Sequence, residues 1–155
     1  MSPIIMTIKG EPSRATHQGA LRVIRTKSGR TFVGKYASSK AKRWASVLAG
    51  EFARYKPEKP LEGPLHVEII WVFGYPKSTP KKHLGEVRWK TTRPDLDNME
   101  KTVLDVLTEQ GFMHDDSQIA LKATRKLHGP NPAIIVGIAQ LDPIDTHSRI
   151  SVLQQ

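Results

Sequence analysis

Cysteine is absent from the 155-residue chain, which excludes disulfide bonds, thiolate zinc sites and cysteine nucleophiles. No run of about 18 consecutive apolar residues occurs either, so no membrane-spanning helix is expected. The first residues lack the charged front and the cleavage site of a signal peptide. The glycine-rich loops of nucleotide-binding enzymes and the G-x-S-x-G motif of serine hydrolases are also missing. We therefore expect a soluble, cytoplasmic protein that uses none of these chemistries.

Acidic residues are scarce, and they are unevenly distributed. The chain has 24 Lys and Arg against 15 Asp and Glu, a net charge of +9. Residues 12–50 contain nine basic residues and no acid, whereas residues 95–116 contain seven acids and one lysine. The acidic window carries −6, which leaves +15 on the rest of the chain. A basic body favours a polyanionic partner such as nucleic acid, although a solubilising surface explains the net charge equally well.

The hydrophobic pattern predicts a single domain at residues 1–142 and a polar, loosely ordered tail at residues 143–155. The expected helices cover residues 39–55 and 97–110, each ended by proline or glycine. Six strands are expected, at residues 4–8, 21–25, 31–33, 65–73, 118–127 and 133–141. This order of elements predicts an α+β (mixed α/β) fold, in which one mixed β-sheet carries two main helices.

The most informative segment covers residues 92–101, with the sequence TRPDLDNMEK. Asp95 lies just ahead of the second predicted helix, and Asp97 lies at its beginning. Because an α-helix has about 3.6 residues per turn, Asp97, Lys101 and Asp105 share one polar face opposite the apolar face. The pattern places two carboxylates at the entrance of this helix and a lysine one turn further on.

Two more acids, Asp115 and Asp116, follow where the chain leaves the helix for the next strand. If that strand lies beside the helix, a third carboxylate can join Asp95 and Asp97. Three such oxygen ligands suit Mg²⁺, with Mn²⁺ as a substitute, because these ions keep several waters and leave room for a phosphate. The chemistry that fits is phosphodiester hydrolysis, in which Lys101 contacts the phosphate or orients the attacking water.

Each of these features also has a purely structural interpretation. Asp97 and Glu100 have the spacing of a helix capping box. Asp97 with Lys101 has the spacing of an ordinary i, i+4 ion pair. Asp115 and Asp116 have the composition of a turn. The joint occurrence of the three features is what favours a metal site.

A long loop at residues 76–94 leads into the acidic segment and carries six basic residues against one acid. Trp89 lies among the basic residues, so the loop can grip phosphates or stack on a base. A solvated surface loop is the alternative interpretation. The residues that we predict to bind DNA are Lys77, Lys81, Lys82, Arg88, Lys90 and Arg93.

The pattern of residues 93–126 resembles the RusA family of Holliday junction resolvases. It consists of PDLDNM at 94–99, a lysine at 101, an aspartate at 105, GF at 111–112, DDSQ at 115–118 and a lysine at 126. The resemblance implies metal-binding catalytic acids at Asp95, Asp97 and Asp116 and an essential lysine at Lys101. The supporting residues would be Asn98, Asp105 and Asp115.

The resemblance also implies a function. Members of this family are cytoplasmic, Mg²⁺-dependent, homodimeric endonucleases, often carried by phages or prophages, that cut four-way DNA junctions by paired symmetric nicks. We therefore expect a homodimeric nuclease that resolves branched DNA in recombination and repair. Two alternatives stay open: a metal nuclease that acts on other branched or single-stranded DNA, and a non-catalytic DNA-binding protein whose acids only cap helices and solubilise the chain.

Overall fold

The computed structural model describes residues 2–14, 20–36 and 39–142, and the tail predicted at 143–155 lies outside these ranges. The two helices are α1 (Ser39–Phe52) and α2 (Leu96–Glu109). None of the described helices combines the length and the apolar character needed to cross a bilayer. The strands are β1 (Ile4–Lys9), β2 (Ala20–Arg25), β3 (Thr31–Tyr36), β4 (Leu65–Phe73), β5 (Arg88–Trp89), β6 (Ile119–His128) and β7 (Ala133–Gln140).

Five of the strands form one mixed sheet in the order β1-β7-β4-β6-β5. The central strand β4 pairs antiparallel with β7 and parallel with β6. A parallel pair needs a crossover connection, and the chain between β4 and β6 contains the loop, β5 and α2. The edge strands β1 and β5 run antiparallel to β7 and β6.

The predicted α+β architecture is confirmed, with two additions. Strands β2 and β3 pair only with each other, as a separate two-stranded sheet. Strand β5 is too short to show an alternating pattern, and it exists because Arg88 and Trp89 pair with the end of β6. The predicted bounds of α2 and of the last two strands are each within one residue of the structure, and β4 matches at both ends.

The hydrophobic core lies between the sheet and the two helices. Every second residue of β4 is fully buried, from Leu65 to Phe73, which is the period expected for a strand with one face on the core. Burying a large apolar side chain contributes about 1.5–3 kcal/mol. The helices complete the core with the buried side chains of Leu48, Phe52, Met99, Val103, Val106 and Leu107.

Helix α2 ends in a Schellman motif at Gly111. The backbone N–H of Phe112 donates to Leu107 O at 3.0 Å, and that of Gly111 donates to Thr108 O at 2.9 Å. Gly111 has a φ of 77°, a conformation that other residues adopt only at a cost. The motif directs Phe112 into the core, where its ring packs edge-on against Phe52 with centroids 6.1 Å apart.

We expect the same substitution to have opposite effects at two glycines. Gly111→Ala should lower the free energy of unfolding by about 1 kcal/mol, because alanine disfavours positive φ. Gly50→Ala should raise it by about 0.5–1 kcal/mol, because Gly50 lies in α1 and an added Cβ there meets no atom within 4 Å. Urea denaturation of both variants measures the difference. Equal effects at the two positions would contradict this account of the α2 terminus.

Candidate functional site

The two acids at the start of α2 are exposed and uncommitted. Asp95 is the N-cap residue, but its side chain accepts no capping hydrogen bond. Asp97 lies in the first turn, and neither carboxylate forms a hydrogen bond or ion pair with a described residue. The alternative of a capping box at Asp97 is wrong, because the helix already begins at Leu96 and the Glu100 carboxylate accepts from Lys122 Nζ at 2.5 Å.

The predicted polar face of α2 is confirmed. Asp97 and Lys101 are exposed, Asp105 is half-exposed, and Asn98 beside them is half-buried. Lys101 Nζ donates to Asp105 Oδ1 at 3.2 Å. An exposed i, i+4 pair of this kind stabilises a protein by at most about 0.5 kcal/mol. Its contribution to stability is therefore too small to explain why these polar residues share one face of α2.

The backbone just before Asp95 is held by a buried lysine of β6. Lys126 is 8% exposed, and its Nζ donates to Thr92 O at 2.8 Å and to Pro94 O at 2.6 Å. The Arg93–Pro94 peptide bond between these carbonyls is cis. A charged donor that satisfies two carbonyls fixes the chain strongly, and it thereby sets the position of Asp95. The family resemblance includes Lys126 in its pattern, but the sequence predicts no contact for it, since the contact joins residues more than 30 positions apart.

Strand β6 runs beside α2 in the opposite direction. Lys122 lies level with Glu100, and Lys126 lies level with the residues before the helix. Asp116, which precedes β6, therefore lies far down the helix, where it lines a cavity of about 280 Å³ together with Leu104. Leu104 follows Asp97 by seven residues, or about 10 Å along the helix axis.

The Asp115–Gln118 segment is a short 3-10 turn with its own capping box. Asp115 Oδ1 accepts from Ser117 N at 2.9 Å, and Gln118 Oε1 accepts from the backbone N–H of Asp115 at 3.2 Å and of His114 at 2.7 Å. The Ser117 hydroxyl and then its backbone N–H lower the pKa of Asp115. The turn interpretation of Asp115 is confirmed. The spacing of an aspartate and a glutamine three residues apart is a sequence signal for this box.

Gln118 also ties the turn to the neighbouring loop. Its Nε2 donates to Leu61 O at 3.0 Å and to Gly63 O at 3.2 Å. Leu61 N donates in turn to Phe112 O at 2.9 Å. The position of Asp116 therefore depends on the hydrogen bonds of the Gln118 amide. The Asp116 carboxylate itself forms no hydrogen bond with a described residue.

Among residues 2–14, 20–36 and 39–142, no three His, Asp or Glu side chains form a group that could hold a metal. Asp116 does not join Asp95 and Asp97 in this chain, and the three-carboxylate site stays a prediction. The donor chemistry of Asp95 and Asp97 still fits Mg²⁺, which is often bound by one or two carboxylates together with water and substrate phosphates. Both carboxylates are exposed and lack a competing cation among the described residues.

Five of the six basic residues predicted to bind DNA are exposed, and Lys90 is not. Lys90 is 7% exposed, and its Nζ donates to Thr92 Oγ1 at 2.5 Å and lies 5.1 Å from the centroid of the Phe73 ring. Trp89 is 72% exposed beside it. The exposed residues are Lys77, Lys81, Lys82, Arg88 and Arg93.

The basic loop has its own internal contacts. Tyr75 Oη donates to Glu86 O at 2.7 Å and accepts from Gly85 N at 2.9 Å, and His83 contacts Glu86 at 3.0 Å. The loop lies at the carboxyl ends of β4 and β6, the same edge at which α2 begins. The exposed cations and the Asp95–Asp97 pair therefore share one edge of the sheet, where α/β proteins commonly bind their ligands.

Comparison with known proteins gives three findings. A family model described as "Endodeoxyribonuclease RusA" matches residues 14–139. A protein of Lactococcus phage r1t named "Crossover junction endodeoxyribonuclease rusA" is 29% identical over 94 residues, which cover 61% of this chain and 70% of that protein. The uncharacterized protein YqaN of Bacillus subtilis (strain 168) is 28% identical over 150 residues, covering 91% of this chain and 99% of that protein.

We expect Gln118→Met to destabilise the protein by about 1–3 kcal/mol, since it removes the amide that satisfies two backbone N–H groups and two carbonyls. Amide hydrogen exchange at residues 111–118 should accelerate in the same variant. Gln110→Met is the matched control, because the Gln110 side chain forms no hydrogen bond with a described residue. A loss of stability as large in the control would show that the Gln118 contacts are not the cause.

Proposed function

Because the chain belongs to the RusA family of endodeoxyribonucleases, we propose that it is a Mg²⁺-dependent, structure-selective endonuclease that cuts four-way DNA junctions as a homodimer. The observation that carries the proposal is the pair of uncommitted carboxylates, Asp95 and Asp97, on the edge of the sheet that also carries the basic loop. The junction as substrate is supported by the name of the phage relative.

Asp95 and Asp97 would hold the metal. The family resemblance predicts Asp116 as a third ligand, but Asp116 lines a cavity with Leu104, about two turns further along α2, so the pair at the helix entrance carries the proposal. When bound, Mg²⁺ neutralises charge on the phosphate and lowers the pKa of a bound water, and Mn²⁺ can substitute for it. Lys126 holds the backbone that carries Asp95, and the capping box of Asp115 holds the turn that carries Asp116. Asn98 follows Asp97 in the first turn of α2 and is half-buried, and we assign it a supporting role beside the two acids.

We assign to Lys101 the contact with the phosphate that is cleaved. Its exposed ammonium lies one helical turn from Asp97 and is paired with Asp105. Asp105 orients the lysine towards the polar face of α2 without burying it, so the ammonium can exchange this partner for a phosphate oxygen. A lysine acts there as a compact point charge.

The exposed cations of residues 76–94 would guide DNA to this edge. Contacts between lysine or arginine and phosphates supply most of the affinity of proteins for DNA without reading its sequence. Trp89 offers an exposed ring on which an unpaired base can stack. A homodimer would present two such edges related by a twofold axis, which matches the pairing of strands in a symmetric junction.

The proposed activity is tested by incubating the protein and Mg²⁺ with a labelled four-way junction, a linear duplex of the same sequence, a flap and a single strand. We expect paired nicks at symmetric positions in the junction and no cutting of the linear duplex. Preferential cutting of the flap or the single strand would show that the protein is a nuclease whose substrate is not the four-way junction. Absence of cutting with Mg²⁺ and Mn²⁺ would refute the nuclease.

We expect Asp97→Asn to lower the cleavage rate by at least about 10²-fold, an effect typical of losing a catalytic charge, while junction binding is retained or strengthened. The substitution removes a negative charge from a surface that meets phosphates, so binding does not suffer. Glu109→Gln is the matched control, because Glu109 is an exposed acid at the far end of α2. Rate assays and gel-shift titrations separate cutting from binding, and normal cutting by Asp97→Asn would exclude the assigned site.

A further inference from the structure

A cavity of about 640 Å³ opens beside the segment that leads into α2. It lies between the end of β4, the chain that follows β1 and the last residues of the basic loop. Nothing in the proposed cleavage chemistry uses it. Its lining includes Glu11, Arg14, Lys90, Thr92, Arg93 and His128.

Positive charge predominates in this cavity. The lining has three positive charges, from Arg14, Lys90 and Arg93, and one negative charge, from Glu11, which is a surplus of two positive charges. The Glu11 carboxylate is already engaged, since its Oε2 accepts from Gly74 N at 2.8 Å. The His128 ring is turned towards Gly74 O at 2.8 Å through Nδ1. The described part of the wall therefore supplies cations without an equal number of anions.

Lys90 is the most unusual member of the lining. It is more than nine-tenths buried, yet its described hydrogen-bond partner is the neutral hydroxyl of Thr92. Burial, followed by repulsion from Lys126 and Arg14, lowers the pKa of Lys90, and Glu11 opposes this only weakly. Most of the Lys90 side chain is buried, and its ammonium faces the cavity lining without a carboxylate hydrogen-bond partner among the described residues, so a bound anion would compensate for its charge.

We propose that this cavity binds a phosphodiester group of the DNA substrate, with Lys90 at its base and Arg14 and Arg93 at its rim. The assignment rests on the proposed nuclease function and adds a second phosphate site to it. Thr92 and Arg93 line the cavity, and Lys126 fixes the backbone on both sides of Arg93. A phosphate held here is thus in a fixed relation to Asp95, two residues further on, and sets where the strand crosses the start of α2.

The first experiment asks whether the cavity binds a phosphate at all, without any cleavage. Inorganic phosphate is titrated into the isotope-labelled protein, and the NMR signals of Gly74, Lys90 and Thr92 are followed. We expect saturable shifts in the wild type that are lost in Lys90→Met, because this variant keeps a long apolar side chain and removes the ammonium. Lys59→Met, at an exposed lysine outside the cavity lining, is the control and should behave as the wild type.

The second experiment measures binding of the four-way junction in Ca²⁺ over a range of salt concentrations. Lys90→Met should weaken binding about tenfold, and the slope of log K against log salt should fall by about 0.9, the value for one lost phosphate contact. Arg14→Gln, at an exposed position, should act in the same direction and serves if Lys90→Met does not fold. Lys59→Met again reports the effect of removing a charge outside the cavity.

The outcomes separate this site from the nuclease activity. Loss of phosphate shifts together with the weaker, less salt-dependent junction binding supports a DNA phosphate in the cavity. Phosphate shifts with unchanged junction binding would assign the cavity to a free phosphate compound and overturn the proposal, as would wild-type protein that shows no shifts. If the protein cuts no DNA yet both effects are seen, the nuclease proposal fails and the phosphate site stands.

Discussion

The amine of Lys126, held between two backbone carbonyls, connects the sheet to the start of α2. Lys126 lies in β6, the strand that pairs parallel with the central strand. Its side chain is buried, and its Nζ donates to Thr92 O and Pro94 O. A charged hydrogen-bond donor in such a place is strong and costly to remove. The positions of Asp95, of the first turn of α2 and of the last residues of the basic loop all follow from this contact. A rigid support for exposed acids is what a reaction site on a small protein requires.

The direction of α2 decides which charges meet. Its amino end lies at the edge where the parallel strands finish, beside the exposed cations of the basic loop, and its carboxyl end leads to the Asp115–Gln118 turn at the opposite edge. The uneven charge of the sequence therefore becomes a spatial arrangement in which a basic surface borders two uncommitted acids. The cavity lined by Lys90, Arg14 and Arg93 adds further positive charge next to the basic loop. Under the proposed function, this arrangement would attract DNA over a wide area, and the proposed cavity site would hold one phosphate in a fixed relation to Asp95.

The elements with a clear hydrophobic period could be predicted from the sequence, and the contacts between them could not. Strand β4 and helix α2 follow from alternation and from a 3.6-residue period, and so does the polar face with Lys101 and Asp105. Strand β5 and the role of Lys126 depend on pairing between distant segments, for which a single sequence carries no local signal. The burial of Lys90 could not be predicted from the sequence, because the other basic residues of the same loop are exposed and the local pattern does not distinguish Lys90 from them. The separation of Asp116 from Asp97 follows from the antiparallel course of β6 along α2, which the order of elements does not reveal.

Paramagnetic Mn²⁺ tests most directly whether the divalent ion binds at the entrance of α2, where it would meet the phosphate. Small amounts of Mn²⁺ broaden the NMR signals of amides close to the bound ion, and they do so without DNA or turnover. We expect the amide signals of residues 95–98 to be lost first and Asp97→Asn to abolish this effect. Broadening centred elsewhere, for instance around Glu62 and His114, which contact each other at 3.2 Å, would contradict the account.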